Sequence, residues 1–293
     1  MAGEFDYIGW IRQQTRNHPR VVLGPGDDCA VVKTDAALQL ITTDMLMDGV
    51  DFIVGVADPV LIGRKAMAVN LSDIAAMAGK PTSAVVSVAL PQGPGTRELA
   101  EKLFQGMSTI ANEFDCPIIG GDTNSWNGPL VISVTVTGEP TGKGPVTRSG
   151  AKPGDWLFVT GPCGGSIRGH HFTFTPRIRE AQQLHSLVRL NAMIDISDGL
   201  AADLNHICEE SRCGAAFDAA AIPVNDGVTL ANALGDGEDF ELIFAVSPAD
   251  GDRLTKHSPV PVWKIGECVD NGLWIIENGM KRELKPTGWS HTV

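Results

Sequence analysis

At 293 residues the chain exceeds the usual size of one domain, so two domains of ordinary length are expected. Its 43% hydrophobic and 20% charged residues exclude disorder, no apolar run approaches the roughly eighteen residues of a membrane span, and a formal charge of −12 without a basic stripe excludes a nucleic-acid surface. The N-terminus lacks an apolar signal region and the six cysteines are scattered without metal-binding spacing, so a cytoplasmic protein with reduced thiols and no membrane partner is expected.

In chain order, residues 4–16 carry Phe5, Ile8 and Ile11 at helical spacing and predict a short amphipathic helix. Strands are predicted over 29–33 and 38–43, joined by a turn at Thr34-Asp35 into a hairpin whose ends present Asp28 and Asp44. From Pro59 to Ala78 the pattern is helical, opened by Pro59 and closed by Gly79 and Pro81. A strand over 83–90 and a helix over 97–114 follow, the helix with Leu103, Met107, Ile110 and Phe114 on one stripe. A short strand at 117–119 ends in a Gly120-Gly121 turn, and a longer one covers 130–138. The Gly, Pro, Thr and Lys-rich stretch 139–154 reads as a linker, placing a domain boundary near residue 145. Beyond it come a strand at 156–160, an irregular stretch to about 189, a strand at 192–196, a helix at 199–210, and strands near 215–217, 241–246, 262–267 and 273–276. The fold class expected is α+β.

Carboxylates recur at the edges of these apolar segments. Asp28 follows a Gly-Pro-Gly turn, Asp44 ends a strand, Asp122 follows Gly120-Gly121, and Asp195 closes an apolar strand with Asp198 three residues on, where it would also serve as a helix N-cap. Asp73 lies inside a helix, where Asp is a poor former and caps nothing, and its neighbours one turn away, Val69, Asn70, Ala76 and Met77, include no Lys or Arg. Carboxylates about 4 Å apart repel by roughly 4 kcal/mol at an effective dielectric near 20, so a cluster needs cations. An all-oxygen ligand set favours hard ions, Mg²⁺ first. No Walker or protein-kinase motif is present, and no Ser-His-Asp arrangement can be read. The Gly161–Gly165 run reads as a strand-ending turn, and Arg148 and Lys152 as a solvated basic linker within reach of phosphates.

The blocks GPGDDCAVV, TTDMLMDGVDF, KAMAVNLSDIAAMAG, IIGGDT, TRSGAKPGDWLFVTG, MIDISDGLAADLNHI and GEDFEL, in this order, closely resemble the thiamine-monophosphate kinase family, within the superfamily typified by aminoimidazole ribonucleotide synthetase. The resemblance runs from about Gly3 to Trp289. It implies a two-domain fold with mixed and antiparallel sheets flanked by helices: residues 1–145 binding ATP and metal and pairing into a homodimer, residues 146–293 completing the substrate site. It makes Asp28, Thr43, Asp44, Asp73, Asp122, Asp195 and Asp198 ligands of several Mg²⁺ ions. Gly121, Asp122, Arg148 and Ser197 would contact ATP, and Asp51, Glu238 and Trp289 the thiamine monophosphate. The implied reaction is direct phosphoryl transfer from ATP to thiamine monophosphate. No general base is expected, because a phosphate with a second pKa near 6 is already deprotonated at neutral pH. Two features depart from the family: Asp51 stands where a His is common, and residues 162–191 form a shorter segment containing the run RGHHFTFTPR. They leave two alternatives, a sibling ATP-dependent enzyme acting on another substrate and a nucleotide-binding regulatory protein without turnover.

Overall fold

The computed structural model describes residues 18–24, 26–34 and 37–289, together with Gln13. The helix expected over 4–16 therefore lies, Gln13 apart, outside the described residues, as does Asp35 of the expected turn. The first half comprises β1 (Val21–Leu23), β2 (Ala30–Lys33), β3 (Leu38–Met47), α1 (Pro59–Ala76), β4 (Gly79–Pro91), α2 (Thr96–Glu113), β5 (Ile118–Trp126) and β6 (Val131–Pro140). Its strands form a six-stranded sheet in the order β1-β2-β3-β6-β4-β5. Strict alternation on β6 sets the two faces: Ile132, Val134 and Val136 are buried inward, while Ser133 and Thr135 point outward.

Helix α1 starts where Asp58 caps it, accepting a hydrogen bond from the Val60 N–H at 2.9 Å, with Pro59 in the first turn. It is buried nearly all round, because it lies between the first sheet and elements of the second half. Its crossing with α2 brings backbones into contact. A Cβ on Gly63 would lie 2.0 Å from the Leu103 carbonyl oxygen, and one on Gly106 would lie 1.9 Å from that of Val60.

The second half comprises β7 (Trp156–Val159), α3 (His170–Thr173), α4 (Ile178–Leu187), β8 (Ala192–Asp195), α5 (Leu200–Ser211), β9 (Gly214–Asp218), α6 (Leu230–Gly235), β10 (Leu242–Val246), α7 (Pro248–His257), β11 (Trp263–Val269), β12 (Leu273–Glu277) and β13 (Met280–Glu283). Its seven strands order as β13-β12-β9-β11-β7-β10-β8. Strand β10 explains the layering. Leu242, Phe244 and Val246 join the core around α1, whereas Ile243 and Ala245 join a second core under α5, so both faces of this sheet are covered and the strand is apolar throughout. Among the described residues, no helix is long and apolar enough to cross a membrane.

Three expectations are corrected. Asp44 does not end a strand: β3 runs on to Met47 and carries Asp44 in its interior. Gly120-Gly121 is not a turn, since β5 continues from Ile118 to Trp126. The stretch to residue 189 is not irregular, because it holds α3 and α4. Helices α6 and α7 and strand β13 were not anticipated.

Candidate active site

Four elements converge on one cavity of about 870 Å³. Asp28 precedes β2, Asp44 projects from β3, Asp73 from α1, and Asp195 is the last residue of β8. Carboxylate oxygens of Asp28, Asp73 and Asp195 lie within 4.8 Å of one another. Each finds a partner from another element. Arg148 grips Asp28 through Nε and Nη2 at 3.1 and 3.0 Å, the Thr42 hydroxyl donates to Asp73, and the Ser72 hydroxyl donates to Asp195 at 2.5 Å. One salt bridge and two hydroxyls do not balance this charge. Burial, reinforced by the neighbouring carboxylates, pushes Asp73 and Asp195 well above the ordinary range, and raises Asp44 to about 6 and Asp27 to about 7. Burial by itself lowers the Arg148 guanidinium, but Asp28, Asp27 and Asp195 outweigh it and keep it charged. The donors are all oxygens, the set that suits a hard divalent cation, and a cation among them removes the repulsion that raises these carboxyls. The residues present therefore fit the expected Mg²⁺.

Asp198 belongs to a second group, with ligand atoms of Asp198, Asp203 and His206 within 4.8 Å. Asp198 is not the N-cap of α5, a position taken by Gly199. Instead Asp203 reaches back from the first turn and accepts the N–H groups of Asp198 at 3.1 Å and Gly199 at 3.0 Å. Asp203 thus fastens the loop that carries Asp198.

The same cavity is lined by Ser197, Asp51, Glu238 and Trp289. Glu238 is fixed from behind by Lys65, whose fully buried ammonium lies 2.5 Å from Oε1, and by His171, whose Nδ1 lies 3.2 Å from Oε2. Burial alone would raise Glu238, but the hydrogen bond from His171 and the charge of Lys65 hold it below the usual carboxylate range. Asp51 is engaged locally, accepting the Met47 N–H at 2.7 Å. Lys65, Val69 and Asp73 repeat every four residues, so one stripe of α1 lines the cavity from its lysine to its aspartate.

Not every expected residue is gathered here. Asp122 and Gly121 do not line this cavity. The register Asp44-Val134-Val86-Gly121 puts Gly121 three strands away, about 14 Å at the usual strand spacing. Asp122 follows the row Met45-Ser133-Ser87, on the opposite, open face of the sheet. Gly121 is glycine because a Cβ there would lie 1.8 Å from the Val86 carbonyl oxygen. Thr43 borders the cavity, but its hydroxyl donates to the Val134 carbonyl at 3.0 Å, and it is Thr42 that touches Asp73. Reading the sequence missed Thr42, Lys65, His171 and Asp203. The available signal was an arginine, a lysine, an asparagine, a serine and an aspartate inside an otherwise apolar helix.

The chain matches the AIR synthase related protein N-terminal domain over residues 26–139 and the corresponding C-terminal domain over 152–273. It is 38% identical to thiamine-monophosphate kinase of Rhodopirellula baltica over 309 aligned residues, covering 98% of this chain and 97% of the relative. It is 34% identical to the Bacillus subtilis enzyme, covering 90% of each. The structure of AaThiL complexed with AMPPCP and TMP superposes with a TM-score of 0.86 at 28% identity, covering 99% of this chain and 97% of that one. Hydrogenase maturation protein HypE in complex with ATP shares the fold alone, with a TM-score of 0.72 at 19% identity and 92% and 90% coverage. A full-length match at this identity, with two AIR synthase related domains, establishes that the chain belongs to the thiamine-monophosphate kinase family.

Proposed function

We propose that the chain transfers the γ-phosphoryl group of ATP to the phosphate of thiamine monophosphate, yielding thiamine diphosphate and ADP. The observation that carries this reading is the convergence of Asp28, Asp44, Asp73 and Asp195 on one cavity, with Arg148 the single arginine among the described residues that line it. Such a wall repels phosphates unless cations intervene. Mg²⁺ held by these carboxylates and Asp198 would supply the positive charge that lets two anionic substrates approach.

The protein's own groups then position the reactants. Arg148 uses two of its five N–H donors on Asp28, and the others are available to a phosphate oxygen. Ser197 borders the same space and its backbone carbonyl ties down the Glu238 N–H at 2.7 Å. Trp289, 57% exposed, offers an aromatic wall for the heterocycles of the acceptor, and Glu238 a carboxylate for their N–H groups. No side chain is needed as a base, since the attacking phosphate oxygen is already deprotonated.

The open face of the first sheet supports a homodimer. Met45 and Val85 are 61% and 41% exposed there, and Thr43 and Asp122 lie on the same face, so a second copy laid against it would bury all of them. A role for Gly121 and Asp122 at nucleotide or metal therefore belongs to the assembled protein. We keep the division near residue 145, with most carboxylates before it and the organic substrate's contacts after it, and the free thiols fit a cytoplasmic protein.

The test is release of ADP in a coupled assay with Mg²⁺. ADP formed in proportion to added thiamine monophosphate is expected. ATP binding without dependence on that acceptor would transfer the assignment to a sibling activity or a regulatory protein.

A further inference from the structure

The run RGHHFTFTPR places a buried histidine behind Glu238, a residue that borders the substrate cavity. Arg64 on α1 fastens the run, its Nη1 donating to the Phe172 carbonyl at 2.9 Å and its Nη2 to that of Phe174. Phe174 stacks on Phe240 at 4.1 Å between ring centroids, tying the run to the loop that carries Glu238. That loop is strained: Glu238 and Phe240 have φ of +63° and +52°, a region that non-glycine residues avoid. It is pinned there by backbone hydrogen bonds from Glu238 to Ser197 and from Phe240 to Ile196.

Behind Glu238 the polar contacts are fully determined. The Lys65 ammonium, completely buried, donates to the Asp51 carbonyl at 2.8 Å and pairs with Glu238 Oε1 at 2.5 Å. His171 Nδ1 lies 3.2 Å from Lys65 Nζ and 3.2 Å from Glu238 Oε2. A bare Nδ1 would set its lone pair against an anionic oxygen. The Nδ1–H tautomer instead donates to Oε2 and leaves Lys65 its two other acceptors. Both carboxylate oxygens are thus held from the protein side, while the Glu238 side chain remains 32% exposed and borders the cavity.

We propose that His171 and Lys65 are positioning residues that hold Glu238 as an acceptor for the aminopyrimidine N–H of the acceptor substrate and leave nucleotide binding alone. The inference rests on thiamine monophosphate being the acceptor. An anionic oxygen pair repels phosphate, so its useful ligand is an N–H donor or a cation, and the aminopyrimidine and thiazolium of this substrate offer one of each. Lys65 adds a further coupling. By bonding the Asp51 carbonyl as well, it holds the Asp51 loop and the Glu238 loop in one frame.

The experiment compares His171→Leu, His171→Asn and His171→Gln, measuring KM and kcat for both substrates and, by calorimetry, equilibrium binding of thiamine monophosphate in the presence of a non-hydrolysable ATP analogue. Loss of the donor in His171→Leu is expected to weaken thiamine monophosphate about tenfold, with kcat and the KM for ATP within about twofold. Asn places an N–H near the position of Nδ1 and should restore most of the affinity; Gln places it near that of Nε2 and should not. Should His171→Leu fail to fold, the Asn and Gln pair decides alone. Equal, wild-type affinity in Asn and Gln, or equal damage to ATP and thiamine monophosphate, overturns the positioning role. A wild-type protein that neither binds nor turns over thiamine monophosphate overturns the functional reading instead.

Discussion

Replacing Asp44 by Asn takes one charge out of the carboxylate cluster while leaving β3 intact, because the tie from β3 to Asn70 at this position runs through the Asp44 backbone N–H. Burial, with Asp51 and Asp28, raises the Asp44 carboxyl from an ordinary 3.8 to about 6. Below about pH 4 the group is mostly protonated in both folded and unfolded chains and costs little. Between there and about 6 the folded chain keeps a proton that the unfolded chain has released, so stability falls as pH rises, and above about 6 the full penalty applies. Two units correspond to at most about 3 kcal/mol at pH 8 and about half of that at pH 5. In EDTA at pH 8, Asp44→Asn should therefore melt several degrees above wild type, at about 2–4 °C per kcal/mol for a protein near this size, and the gap should narrow at pH 5. Adding Mg²⁺ should reverse the order, since wild type gains a ligand that the variant holds poorly. Differential scanning calorimetry over this grid provides the readout. An Asn variant that melts below wild type in EDTA at pH 8 would refute the claim that these carboxylates are mutually destabilising without metal.

Asp195→Asn should fold, because the Ser72 hydroxyl can still donate to the amide oxygen, yet lose Mg²⁺-dependent ATP binding and turnover by equilibrium titration and ADP assay. Arg148→Met should cost about 3–5 kcal/mol in chemical denaturation without Mg²⁺, since it strands the buried Asp28, and added Mg²⁺ should recover part of that loss. Gly63→Ala should destabilise by at least about 1–3 kcal/mol and leave the KM of surviving enzyme unchanged, because its Cβ meets the Leu103 backbone and touches neither substrate.

Much of this protein was legible in its sequence wherever a single periodicity agreed with its local terminators. Pro59 opening an apolar helical pattern, with Gly79 and Pro81 closing it, placed α1, and the stripe Leu103, Met107, Ile110 and Phe114 placed α2, because terminators and periodicity are properties of neighbours along the chain. The chemistry was legible for a similar reason. An aspartate inside a helix with no cation one turn away, and another closing an apolar strand, require something from outside the chain, and the family motifs named what it is. Tertiary structure alone decided which partners those residues meet. Gly121 read as a turn because glycine permits one, but it is glycine to let β5 approach the Val86 carbonyl, a contact with another strand. Asp122 consequently faces away from Asp44 rather than toward it. The hydroxyls that satisfy Asp73 and Asp195 come from Thr42 on β3 and Ser72 on α1, and Lys65 finds Glu238 and His171 only when α1 is enclosed between the two halves. Local sequence encodes backbone state and the need for a partner, whereas the identity of the partner depends on elements far apart in the chain that meet only when the core closes.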